Sequence, residues 1–178
     1  MPEKVGYIFE CERGGPDYQV CQCFLSRVHA DVVIEPAYLS MPSLLVDCGP
    51  TAAELLRTCS RVIIQWDYKP LWKRPRSCIA DRETIEQSLA ANGVPLDRVT
   101  LICVKAELEA WLLADHHAVE GVVHRLKKNV EAHPIQRFKR HRKPHTVPYP
   151  KKVLEDYFMQ ELGKGRKYQD VAHALPLA

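Results

Sequence analysis

Residues 99–115, VTLICVKAELEAWLLAD, decide the fold that the sequence predicts. The apolar, β-branched run at 99–104 has the length and composition of a buried strand. The apolar residues that follow recur three and four positions apart, which is the period of a helix. A helix that begins where a strand ends places its first turn at the carboxyl edge of the sheet, where open α/β folds bind ligands. Glu107 and Glu109 lie in that turn, where acids can also serve only to complement the helix dipole.

The same alternation of strand and helix precedes this stretch. Apolar runs of strand length predict three more strands, at residues 4–11, 31–35 and 61–67. Gly49-Pro50 predicts a chain break that starts a helix over 52–59, and Asp81 is expected to cap the helix that ends near residue 91. Four alternations predict an α/β fold with a mostly parallel four-stranded sheet and helices on both faces.

Composition limits the class of protein. At 178 residues, with 46% apolar and 26% charged residues, the chain has the profile of a globular protein. It has no apolar run long enough for a membrane span and no signal-peptide pattern at its start, so we expect a cytoplasmic location and no membrane partner. The seven scattered cysteines are expected to be reduced. We expect an α/β domain at 1–128, and a basic arm with C-terminal helices at 129–178 packed on it.

Positive charge is concentrated in one segment. Residues 125–152 contain ten Lys or Arg and one acid, so this segment carries +9 and the remainder −6. Such asymmetry favours nucleic acid, DNA or RNA, as a partner, although a charged loop can also be merely solvated. The stretch 129–150 is expected to be loosely ordered or to order on binding. The predicted phosphate contacts are Lys139, Arg140, Arg142, Lys143, Lys151 and Lys152, with Lys69, Lys73, Arg74 and Arg76 from a second basic run.

Carboxylates end three of the predicted strands. Because parallel strands end at one edge of a sheet, Glu10, Asp67 and the pair Glu107 and Glu109 should converge there. Oxygen ligands of this kind suit Mg²⁺ or Mn²⁺, which can activate water at a phosphodiester. The alternative is that these acids cap helices or pair with the neighbouring bases. The predicted metal ligands are Glu10, Asp67, Glu107 and Glu109, with Glu12 as a further carboxylate.

Two of these acidic motifs resemble the motifs of Toprim domains. Glu10, followed by Gly14-Gly15 and Asp17, is similar to their first motif, and Asp67 in the run IIQWD is similar to their second. The phrase ELEAWLLAD at 107–115 resembles one in an uncharacterised Toprim-like family of bacterial and phage-associated proteins. Relatives of that family include the OLD-family and abortive-infection nucleases. The closing pattern is also similar, in Pro150-Lys151-Lys152, Tyr168 and His173-Ala174.

The resemblance implies a Toprim-like domain with a basic helical C-terminal extension, acting as a Mg²⁺-dependent nuclease with Glu10, Asp67 and Glu109 as catalytic residues. Toprim enzymes usually carry Asp-x-Asp, and Lys69 stands at the position of the second Asp. Either Glu109 supplies the missing carboxylate, or the domain binds nucleic acid without cutting it. The second reading makes the protein a non-catalytic binding or regulatory module. A third is a toxin component that is silent when alone and acts only with a protein partner in a phage-defence system.

Overall fold

The structure, a computed structural model, describes residues 2–13, 15–28, 31–68, 77–105, 108–127, 134–163 and 168. The chain forms two compact units, Met1–Val104 and Lys105–Ala178. The predicted division of domains lay between residues 128 and 129. Among the described residues, no helix combines the length and the apolar character that crossing a membrane requires.

A four-stranded, all-parallel sheet forms the centre of the first unit, as the alternation of strands and helices predicts. The strands are β1 (Glu3–Phe9), β2 (Val32–Tyr38), β3 (Arg61–Tyr68) and β4 (Val99–Lys105). Their spatial order is β2-β1-β3-β4, so β1 lies between β2 and β3. In the β1–β3 pair, Val5 lies opposite Arg61 and Phe9 opposite Gln65. This register brings the ends of β1 and β3 to the same edge.

Helices flank the sheet in the first unit and make up most of the described second unit. The first unit contains α1 (Pro16–Val28), α2 (Met41–Leu55) and α3 (Cys78–Ala91). The second contains α4 (Leu108–Leu112), α5 (His116–Leu126) and α6 (Pro150–Leu162). Short 3₁₀ turns lie at Leu96–Arg98 and Pro144–Thr146. Of the C-terminal helices expected within 129–178, the part beyond residue 163 falls outside the described residues, except for Tyr168.

The alternation of side chains along β1 divides the core of the first unit in two. Ile8 is fully buried in a large cluster with residues of α2 and α3, including Leu44 and Leu89. Tyr7 and Phe9 point to the opposite face and pack with residues of α1. Each face of the sheet is therefore covered, which explains why the strands read as nearly continuous apolar runs.

The predicted break at Gly49-Pro50 is wrong, because α2 runs through it as one helix. Proline has no N–H, so the carbonyl four residues earlier, that of Val46, loses its helical donor. The Ser88 hydroxyl on α3 donates to that carbonyl at 3.1 Å and accepts the Gly49 N–H at 3.2 Å. A neighbouring helix therefore satisfies the groups that proline disturbs, which the local sequence could not indicate.

Two other local expectations are corrected. The cap of α3 is Ser77, whose hydroxyl accepts the Ala80 N–H at 3.4 Å, whereas Asp81 lies inside the first turn. Cys78 and Cys103 are paired as a disulfide between α3 and β4, with their Cα atoms 6.4 Å apart. The expectation that all seven cysteines are reduced is therefore wrong for this pair.

Candidate carboxylate site and basic surface

Glu10 and Asp67 meet where β1 and β3 end. The Glu10 N–H donates to the Gln65 carbonyl at 3.1 Å, which extends the strand pairing by one residue. The Glu10 carboxylate accepts the Asp67 backbone N–H at 2.8 Å. Two acids that lie 57 positions apart in sequence are thus joined by a direct hydrogen bond. This bond also fixes the Glu10 side chain against the end of β3.

Asp17 and Cys11 belong to the same edge. Asp17 lies in the first turn of α1, and Cys11 follows Glu10 directly. Burial, and to a smaller extent the nearby carboxylates of Asp17 and Asp67, raise the pKa of the Cys11 thiol to about 12. We call Glu10, Cys11, Asp17 and Asp67 the carboxylate edge. Cys11 is protonated at neutral pH, so its thiol is a poor nucleophile there.

A buried polar network lies beneath this edge, between the sheet and α1. The Tyr7 hydroxyl donates to Gln65 Oε1 at 2.5 Å, and the Cys21 thiol donates to the same oxygen at 3.7 Å. Burial raises the pKa of Tyr7, and it raises that of Cys21 to about 11, so both groups stay protonated as donors. Gln65 is two residues before Asp67 on β3, and the network therefore holds the strand that carries Asp67. The sequence pattern indicates only that Tyr7 and Gln65 share a face of the sheet, and it does not predict their hydrogen bond.

The remaining predicted ligands have different positions. Glu109 lies in the first turn of α4 in the second unit, where it is 6% exposed. Glu107 and the basic run 69–76 lie outside the described residues. Within the described part of the chain, no three His, Cys, Asp or Glu side chains form a group arranged to hold a metal ion. That Glu109 joins Glu10 and Asp67 around one ion stays a prediction.

The basic arm, residues 134–149 of the second unit, is held in place by a buried aromatic residue. Phe138 is 5% exposed and packs on Tyr157 of α6, with ring centroids 4.7 Å apart. Its N–H donates to the carboxylate of Glu120 on α5 at 2.8 Å. The Tyr157 hydroxyl donates to the Gln136 carbonyl at 2.9 Å. These contacts attach the described residues of the arm to α5 and α6, and its expected loose order or ordering on binding stays a prediction.

The charged residues of the arm are directed to solvent. Phe138 is buried and His141 is half-buried, whereas the basic residues around them are exposed. These exposed bases are Arg137, Lys139, Arg140, Arg142 and Lys143. At the start of α6, Lys151 is half-buried, and Lys152 forms an exposed ion pair with Asp156 at 3.1 Å. The described bases therefore present a positive surface on the second unit.

An open cleft of about 310 Å³ lies between α5 and the arm. His117 and His124 lie on one face of α5 and, with Glu120 and Arg137, supply its polar groups. The Glu120 carboxylate is already engaged by the Phe138 N–H and lies 3.9 Å from His117 Nδ1. Nothing in the spacing of these residues along the sequence predicts this cleft.

The chain matches no protein-family model, no curated protein and no solved structure. The resemblance to Toprim domains therefore rests on the motifs around Glu10, Asp67 and Glu109.

Proposed function

We propose that this protein is a metal-dependent phosphodiesterase that acts on nucleic acid, with Glu10 and Asp67 as metal-binding carboxylates. One observation supports this most directly: the Glu10 carboxylate lies against the backbone of Asp67 at the carboxyl edge of two neighbouring parallel strands. This edge is where open α/β sheets place their ligand sites. The acidic motifs at the same two positions are those that resemble Toprim domains.

The donor set of the carboxylate edge suits a hard cation. Mg²⁺ is usually held by one or two protein carboxylates with water completing its shell, and Glu10 and Asp67 supply two. Asp17, near Cys11 at the same edge, offers another carboxylate, and Glu107 and Glu109 are the further ligands that the sequence predicts. A bound ion of this kind activates water and stabilises the charge that develops on a phosphodiester. The basic residues would hold the phosphate backbone by charge.

The second candidate is a non-catalytic nucleic-acid-binding module with the same fold. One observation favours it: Lys69 stands where Toprim enzymes carry their second aspartate. A lysine at that position contributes a positive charge where the metal site needs a negative one. On this reading the carboxylate edge is structural, and only the basic surface is functional.

Cleavage assays on charge-neutralised variants separate the two candidates. Asp67→Asn keeps the backbone N–H that Glu10 accepts, and Glu10→Gln keeps an acceptor oxygen, so both variants retain the hydrogen bond while losing a charge. For the enzyme, each should reduce Mg²⁺-dependent cleavage about a hundredfold or more, since a bound ion contributes several kcal/mol to transition-state stabilisation. Glu35→Gln, on the exposed surface of β2, is the matched control and should leave cleavage unchanged.

Titration calorimetry with Mg²⁺ or Mn²⁺ alone adds a readout that is independent of activity. Wild type should bind the ion more tightly than Asp67→Asn. Cleavage that survives both Asp67→Asn and Glu10→Gln would refute the assignment of these residues. A wild type that cleaves neither single- nor double-stranded substrates, and binds them no more tightly with Mg²⁺, would establish the binding module instead.

A further inference from the structure

Tyr149 combines an exposed ring with an uncommon backbone conformation. Its side chain is 58% exposed, among the most exposed of the large apolar residues that the structure describes. Its φ of 54° and ψ of 61° place it in the left-handed region, where side chains other than glycine are strained. Its carbonyl accepts the Val153 N–H at 3.3 Å, so the residue forms the start of α6. Folding alone would favour glycine or asparagine at this position.

The basic arm that precedes this ring is attached to α6 at both of its ends. Gln136, near one end of the arm, is hydrogen-bonded to Tyr157 and to Gln160 in the second half of α6. Tyr149, at the other end, begins the same helix. The two attachment points are seven residues apart on α6, at Pro150 and Tyr157, which corresponds to about 10 Å of helix. The five exposed basic residues of the arm lie between these attachment points along the chain.

From this arrangement we infer that Tyr149 is a stacking platform for an unpaired nucleobase, and that the exposed basic residues of the arm bind the phosphates of the single strand that leads away from that nucleobase. The inference rests on the proposed binding of nucleic acid and names its class as single-stranded. An aromatic ring beside a positive groove is the arrangement by which proteins bind single strands without reading their sequence. In a duplex the bases are stacked on one another, and none is available to the ring.

Two properties of the surface favour a single strand over an acidic peptide. The arm buries Phe138 among five exposed cations, which gives a run of positive charges along the chain. Phosphates recur along a strand in a similar row, and each one neutralised releases condensed counterions. An acidic peptide would satisfy the charges, but it would leave the exposed ring of Tyr149 without a planar partner.

The test measures binding by fluorescence anisotropy in EDTA, so that cleavage does not contribute. The probes are an oligothymidylate strand, an abasic strand of equal length, the corresponding duplex and an all-glutamate peptide. Wild type should bind oligothymidylate more tightly than the other three. Tyr149→Ala should weaken binding of oligothymidylate by about five- to a hundredfold, the range for loss of one base–aromatic stack, and leave binding of the abasic strand unchanged. Tyr149→Phe keeps the ring and should bind like wild type.

Tyr149→Gly separates stacking from a structural role. Glycine adopts the left-handed conformation without strain, so this variant should be at least as stable as wild type in thermal unfolding and still bind oligothymidylate as weakly as Tyr149→Ala. Trp111→Ala removes another exposed aromatic ring of the second unit, outside the arm, and is the matched control. It should not change binding.

Each failure has a distinct meaning. Oligothymidylate binding that is the same for wild type and Tyr149→Gly would overturn the stacking assignment and leave nucleic-acid binding intact. The same holds if the duplex or the abasic strand binds wild type as tightly as oligothymidylate does. Equally tight, Tyr149-dependent binding of the glutamate peptide would make the partner an acidic protein segment. A wild type that binds none of the nucleic acids would overturn this inference and the proposed function together.

Discussion

The strongest quantitative expectation concerns the salt dependence of nucleic-acid binding. The basic arm exposes five cations: Arg137, Lys139, Arg140, Arg142 and Lys143. If all five neutralise phosphates of a single strand, the logarithm of the affinity should fall with the logarithm of the salt concentration at a slope of about −3.5. Between about 50 mM and about 200 mM salt, the affinity should then decrease about a hundredfold.

A double substitution, Lys139→Gln with Arg140→Gln, should change that slope by a calculable amount. Removing two of five contacts should reduce the slope to about −2, so that the same change in salt costs only about twentyfold. The measurement is anisotropy of a labelled strand in EDTA across a series of salt concentrations. Both side chains are exposed, so the fold of the arm around Phe138 should be unaffected.

The matched control neutralises two exposed bases of the first unit, Arg57 and Arg82, which form surface ion pairs there. Arg57→Gln with Arg82→Gln changes the net charge by the same amount, so it reproduces any effect of overall charge. Its slope should equal that of wild type. If wild-type affinity does not change with salt, or if both double variants change the slope equally, the arm is not the binding surface.

Three further predictions concern stability. Gly49→Ala should lower the free energy of unfolding by about 1–3 kcal/mol, because the added Cβ would lie 2.3 Å from the backbone oxygen of Ser88. Urea denaturation measures this, and an unchanged denaturation midpoint would refute the close packing of α2 on α3 at this position. Peptide mapping without reductant should recover Cys78 linked to Cys103, and Cys78→Ser should cost about 3 kcal/mol for the loop between them. That cost should vanish in reductant, and recovery of both as free thiols would contradict the pairing. Burial, and to a smaller extent the neighbouring Lys139, lowers the pKa of His141 from its ordinary value of 6.5, so the unfolded chain binds a proton at a higher pH than the folded chain does. The contribution of His141 to the free energy of unfolding should therefore be complete above about pH 6.5 and be lost as the pH falls below it. If His141→Gln shows the same loss of stability on the acid side as wild type, this prediction is refuted.

The sequence predicted the sheet well because strand and helix periods are local properties. Runs such as 61–67 and 99–104 are apolar and β-branched, and their alternation with helices indicates a parallel arrangement. The same rule brings Glu10 and Asp67 to one edge, since it depends only on where each strand ends. The rule does not predict the detailed contacts at this edge, where the Glu10 carboxylate accepts the backbone N–H of Asp67 and Cys11 lies near Asp67.

The errors occur where distant residues determine the local structure. The segment around Phe138 has no helical or strand period, so nothing in it indicates that Tyr157 and Glu120 would hold it. Periodicity also assigns Tyr7 and Gln65 to a face without showing that they hydrogen-bond to each other. Such pairs are set by side-chain length and by the packing of α1, which a single sequence does not specify.

Ser88, whose hydroxyl compensates for Pro50, couples the local unfolding of α2 to that of α3. If α3 detaches, the Val46 carbonyl and the Gly49 N–H lose the hydroxyl that serves both. Fluctuations that expose one helix should therefore expose the other, and the two helices should behave as one cooperative unit in native-state hydrogen exchange. Pro50→Ala restores the missing helical donor, so Ser88→Ala should cost less in that background than in wild type. The difference between those two costs is the coupling energy of the pair.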